Sequence, residues 1–89
     1  VVLDVKAVTP LADYFVIAGG SAQSQVIAIA EVIERTFAKF GRKLTSLEGK
    51  REGRWVLLDY GDVIIHVLCE TERNYYKLEQ FWNHALVVD

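Results

Sequence analysis

Cysteine and proline are almost missing from this 89-residue chain, which holds one of each. A lone Cys69 permits no internal disulfide and cannot build a thiolate cluster for structural zinc, which suits a reducing compartment. A basic excess is missing too: 10 Lys and Arg stand against 12 Asp and Glu, for a formal net charge of −2. Broad nucleic-acid binding, which needs many phosphates neutralised, is therefore not expected as the primary role. The apolar runs are far shorter than the ~20 residues that span a bilayer, and no basic stretch followed by an apolar run and a cleavage site opens the chain. No repeat, low-complexity tract or Ser/Gly linker divides it, so residues 1–89 read as one domain. Phosphate-binding glycine patterns, G-x-x-x-x-G-K-[ST] and G-x-G-x-x-G, do not occur.

Hydrophobic residues, 52% of the chain, are arranged with clear periods. Val1 to Val8 and Tyr14 to Ala18 read as strands, joined by a turn through Thr9-Pro10-Leu11-Ala12-Asp13. Ser21, after Gly19-Gly20, is a candidate N-cap for a helix reaching about Phe40, and Gly41 supplies a left-handed stop. Val26, Ile29, Ala30, Ile33, Phe37 and Phe40 form its apolar face. Leu44 to Glu48, Arg54 to Tyr60 and Asp62 to Leu68 read as three more strands, with the loop from Glu48 to Gly53 solvated. Thr71 caps a last helix through about Trp82, where Tyr75, Leu78 and Trp82 share a face. The expected fold is α/β, an α+β sandwich with a mixed five-stranded sheet and two helices.

A hairpin turn centred on Tyr60-Gly61 would pair Asp59 with Asp62, Leu58 with Val63, Leu57 with Ile64, Val56 with Ile65 and Trp55 with His66. Alternation then gives one wholly apolar face, Val56, Leu58, Val63, Ile65 and Val67, suited to packing on the long helix. The other face carries Trp55, Leu57, Asp59, Asp62, Ile64 and His66. Two carboxylates set opposite each other repel, so this end calls for a cation or a basic partner. Solvated turn acids, a strand histidine packed beside Trp55, and core aromatics at Trp55, Tyr76 and Trp82 are the plain structural alternatives. Taken together, the face reads as an apolar patch rimmed by acids, suited to a basic protein.

Enzyme signals are weak. Gly20-Ser21 precedes a helix as phosphate-binding turns do, but a Ser cap after Gly is common without a ligand. Cys69 is followed by the acid Glu70, which does not suit a nucleophilic role, and His84 has no metal-ligand spacing to another Cys or His. No catalytic residue, metal site or cofactor is expected.

The order and spacing of Ala12-Asp13-Tyr14-Phe15-Val16-Ile17, Gly20-Ser21, Glu48-Gly49, the run from Gly53 to Val63, Ile65-His66-Val67, Glu72-Arg73, Tyr76, Leu78-Glu79 and Trp82 resemble the ribosomal silencing factor family, also called RsfS or Iojap. The resemblance covers nearly the whole chain. It implies a nucleotidyltransferase-like fold without a working active site. It also implies binding to the large ribosomal subunit through a subunit-bridging ribosomal protein, and a block on small-subunit joining that represses translation. Steric occlusion needs no bond-making step and no cofactor. The expected contact strip is Trp55, Leu57, Asp59, Tyr60 and Asp62, with Tyr76 and Trp82 contributing or buttressing. Family members usually carry a helix before the first strand, whereas this chain begins at Val1 within or near that strand. A homodimer and a cytoplasmic location, or an organellar one for a eukaryotic homologue, are further expectations, with no membrane and no sequence-specific nucleic-acid partner. The competing reading is a small nucleotidyltransferase using Gly20-Ser21 for phosphate and Asp59 with Asp62 for Mg²⁺. Against it, no D-x-D or D-x-E pair follows the Gly-Ser turn.

Overall fold

The computed structural model describes residues 2–7 and 9–71 and the backbone of Leu86–Val87. Along the chain run β1 (Val2–Asp4), β2 (Tyr14–Gly20), α1 (Gln23–Lys39), β3 (Ser46–Glu48), β4 (Trp55–Asp59), β5 (Val63–Cys69) and β6 (Leu86–Val87). They form one mixed sheet in the order β3-β4-β5-β2-β1-β6. β2 and β5 pair in parallel, Tyr14 opposite Val63 through Gly20 opposite Cys69, and the other neighbours are antiparallel. The five expected strands are all present, and β6, which the sequence pattern did not reveal, pairs with β1 at the edge. Glu70 and Thr71 are already helical, so Thr71 is not the cap of the expected last helix, whose remainder to Trp82 lies outside the described residues.

Alternation sorts β4 and β5 as the pattern implies. Val26 and Ala30 of α1 pack on Val56, Leu58, Tyr60, Ile65, Val67 and Cys69. On the other face Leu3, Val5, Ala12, Phe15, Ile17 and Leu68 form a second cluster, against which Trp55 and Ile64 pack. Adjacent residues Val67 and Leu68 are both fully buried, one in each cluster, so β5 is covered on both sides. Burying both faces of a central strand favours a continuous apolar run, as in Val63 to Cys69, where His66 is the one interruption.

Several local expectations are corrected. The first ladder ends at Asp4 rather than Val8, because Lys6 N–H turns back to Asp4 Oδ1 at 3.1 Å. Ser21 is not the N-cap: Ala22 is, while Ser21 N–H and Oγ–H both donate to Gln25 Oε1 at 2.6 and 2.9 Å. Phe40 leaves the apolar stripe and is 81% exposed, because helical geometry stops at Lys39. The loop from Glu48 to Gly53 is packed rather than merely solvated. Gln23 Nε2–H donates to Glu52 O at 2.9 Å, Lys50 Nζ lies 3.0 Å from Glu34 Oε1, and Gly53 is buried.

At the C-terminus of α1 the sequence expectation holds. Gly41, at φ +73°, donates its N–H to Ala38 O, and Arg42 N–H donates to Phe37 O, the paired bonds of a Schellman cap. Such a cap fixes the direction in which the chain leaves the helix, and here it delivers Arg42 to the β4–β5 turn.

Candidate docking surface at the hairpin edge

The β4–β5 hairpin is set one residue later than the sequence suggests. Tyr60 N–H donates to Val63 O at 2.9 Å, so Gly61-Asp62 forms the two-residue loop. Gly61 takes φ +91°, which a first loop position of the favoured hairpin turns requires and which glycine adopts without a side-chain clash. The cross-strand partners become Trp55 with Leu68, Val56 with Val67, Leu57 with His66, Leu58 with Ile65 and Asp59 with Ile64. This corrects the expected pairs by two positions on β5, and an even slip leaves every side chain on its expected face.

The correction separates the two acids. Asp59 faces Ile64 and accepts the Gly61 N–H at 2.8 Å through Oδ1, while Asp62 sits in the exposed turn. The cation that the acid pair calls for comes from within the chain: Arg42 donates from a guanidinium nitrogen to Asp62 Oδ1 and reaches Tyr60 O at 3.5 Å. Its Cζ also lies 5.9 Å from the centroid of the Phe37 ring. Asp62 O accepts the N–H groups of Asp13 and Tyr14 at 2.7 and 3.0 Å, so the turn is tied to the start of β2 as well. Asp13, which the pattern reading left out of the strip, is exposed at this same end. Its place in the Ala12-Asp13-Tyr14-Phe15 motif was the available signal.

Trp55, Leu57 and Asp59 are half-buried on the face away from α1. Trp55 Nε1–H donates to His66 Nδ1 at 3.1 Å, and Phe15 meets the imidazole edge-on with centroids 5.6 Å apart. Burial pushes the His66 pKa below its ordinary 6.5, which keeps Nδ1 an acceptor for the indole. Tyr60 is a correction: only 6% exposed, it lies in the α1-facing cluster with its ring 4.3 Å, centroid to centroid, from Phe37. Burial, and then the nearby Glu34 charge, raise its hydroxyl pKa. It stiffens the strip from behind and is not itself a surface group. Tyr76 and Trp82 lie outside the described residues.

The enzyme alternative needs Gly20-Ser21 and the Asp59/Asp62 pair in one site. The parallel ladder puts them at opposite ends: Tyr14 is level with Val63 beside the hairpin turn, and Gly20 is level with Cys69. Six residues of strand separate the two, roughly 20 Å at about 3.3 Å per residue. No single nucleotide phosphate and metal bridge that gap. Among the described residues no group of three or more His, Cys, Asp or Glu is placed to hold a metal ion, and no helix is long and apolar enough to cross a membrane.

The described residues form an α/β unit on a mixed sheet, one face packed by α1 and the other carrying an aromatic and acidic strip beside a braced turn. The chain belongs to the ribosomal silencing factor family, whose model, described as ribosomal silencing factor during starvation, matches residues 1–89. It is 40% identical over 89 residues to the ribosomal silencing factor RsfS of Halalkalibacterium halodurans, covering all of this chain and 76% of that protein. To the factor of the same name from Bacillus subtilis it is 42% identical over 87 residues, covering 98% of this chain and 74% of the relative. Its fold is similar to that of a Chromobacterium violaceum protein solved by X-ray crystallography. That match has a TM-score of 0.91 and 34% identity, and covers 93% of this chain and 69% of the other.

Proposed function

We propose that this chain represses translation by binding the large ribosomal subunit and sterically blocking the small subunit from joining it. Membership of the ribosomal silencing factor family is the observation that carries this reading. Residues 1–89 act as one domain, on a nucleotidyltransferase-like scaffold without a working active site. The partner on the subunit is a basic protein at an intersubunit bridge. Trp55 and Leu57 supply apolar contact, Asp59 supplies the negative charge, the Asp62 turn borders the strip, Tyr60 backs it from the core, and Tyr76 and Trp82 contribute beside it. Half-buried aromatic and aliphatic groups next to carboxylates support this, since aromatic anchors give contact energy while charge guides encounter. A homodimer belongs to the same reading, and the apolar groove on α1 lined by Gln25, Ala28, Ile29, Val32 and Ile33 offers a surface for it. The protein acts where its ribosomes are, in the cytoplasm or, for a eukaryotic homologue, in an organelle.

Cosedimentation with separated large and small subunits tests the proposal. Wild type is expected to pellet with the large subunit alone. Trp55→Ala should weaken that binding by about tenfold or more, the loss typical of a central aromatic anchor. Asp59→Asn keeps an oxygen to accept the Gly61 N–H while removing the charge, and should slow association. Circular dichroism of each variant separates lost contact from lost fold. Binding to neither subunit overturns the proposal.

A further inference from the structure

We infer that Arg42 is the positioning residue of the docking turn: it sets the Gly61-Asp62 loop against α1 and takes the Asp62 charge out of partner recognition. The inference rests on the docking reading of the hairpin edge and adds to it which group holds the edge and which carboxylate the partner reads.

Three separate contacts converge on one guanidinium. The Schellman cap fixes the backbone of Arg42, whose N–H is spent on Phe37 O at 2.9 Å. From there the side chain passes the Phe37 ring, reaches Tyr60 O at 3.5 Å and ends on the Asp62 carboxylate. Phe37 in turn stacks on Tyr60, the last residue before the loop. The loop is thereby gripped from the helix side through Arg42 and from the sheet side through the Asp13 and Tyr14 N–H groups on Asp62 O. Asp62 side chain and carbonyl are both occupied. Among the described residues the Asp59 carboxylate is bonded only at Oδ1, to a neutral N–H, and its charge meets no cation there.

Two roles for Arg42 predict opposite signs. If Arg42 were merely a cation on an acidic docking edge, Arg42→Gln would make the edge more negative and a basic partner would bind faster and tighter. A positioning residue behaves otherwise: its loss frees the turn, complexes dissociate faster, and net affinity falls even though the edge has gained negative charge.

The experiment has two arms. In the isolated protein, amide hydrogen exchange is followed at Asp13, Tyr14 and Gly61, whose N–H groups report the turn. Arg42→Gln should speed their exchange about twofold to fivefold, the range a partly exposed ion pair supports. In the second arm, association and dissociation with purified large subunits are measured for wild type, Arg42→Gln, Asp62→Asn and the double variant. Faster dissociation in either single variant, with the double variant no worse than the more severe single, is the expected result. Unchanged exchange overturns the inference, as does faster exchange accompanied by equal or tighter binding. Absence of wild-type binding overturns the silencing reading itself, and it is seen before any variant is compared; the exchange arm then still tests whether Arg42 holds the turn.

Discussion

His66 sits where the two halves of the hairpin face meet, and its protonation state decides a bond. The indole N–H of Trp55 needs an unprotonated Nδ1, and a proton there would set donor against donor. Burial depresses the folded-state pKa below the ordinary 6.5, whereas the unfolded chain keeps the ordinary value. The unfolded state therefore binds more protons between the two values, and stability falls as pH drops below about 6.5 towards the depressed folded value. Above the ordinary value the contribution is present in full. Urea denaturation at pH 7, 6 and 5 should show a falling midpoint, and His66→Asn should flatten that part of the profile; an equal decline in both proteins would assign the effect to carboxylates. Tyr60 shows what a residue-level reading can miss. Counted along β4, it shares parity with Val56 and Leu58, so alternation alone assigns it to the core face; treating it as a turn residue hid this. With its ring against Phe37 and 6% exposure, Tyr60→Ala should cost about 3–5 kcal/mol by chemical denaturation, the usual loss for a buried aromatic.

Elements were legible where period alone defines them. The 3.6-residue stripe located α1, and strand alternation located both faces of the hairpin, even though the turn was set one residue too early. The turn failed because its centre depends on which residue takes positive φ, and Gly61 is central in either alignment: second loop residue in one, first in the other. The N-terminal cap of α1 failed for a similar reason, since it depends on the hydrogen bonds that Ser21 makes with Gln25. Two element-scale predictions follow from the geometry. Gly61→Ala has open space for its Cβ, so its cost is conformational only, about 1–2 kcal/mol for a non-glycine residue held at positive φ. Thermal unfolding should show that loss, and no gain from the added methyl. On α1, Ala30 is fully buried while Val32 is 51% exposed. Ala30→Leu should lose about 1–3 kcal/mol through overpacking, and Val32→Thr should stay within about 0.5 kcal/mol.

Long-range pairing was the part of the whole molecule that no local pattern carried. The parallel union of β2 with β5 joins residues 49 positions apart, Tyr14 with Val63, and it alone decides that the Gly20-Ser21 turn and the acidic hairpin end stand at opposite ends of the sheet. Arg42 and Asp62, 20 residues apart, meet only because a helix cap and a hairpin turn converge. At this scale charge also bears on the contact that the proposed function requires. The chain carries a net −2, and among the described residues its hairpin end holds Asp13, Asp59 and Asp62, with Arg42 on Asp62 and Lys6 on the neighbouring Tyr14. Under the proposed function, an end with this excess of acids favours a protein over RNA as the contact on the subunit, because it has little positive charge with which to neutralise phosphates. A protein holding six to ten phosphates loses about 10³- to 10⁵-fold in affinity between 50 and 200 mM salt. Here the dissociation constant for the large subunit, measured across that range at fixed Mg²⁺, should weaken by less than about tenfold, because only the short-range attraction between the acidic rim and a basic protein is screened. Asp59→Asn should reduce even that slope. A loss of a thousandfold or more would identify phosphates as the main contact and move the interface away from the hairpin edge.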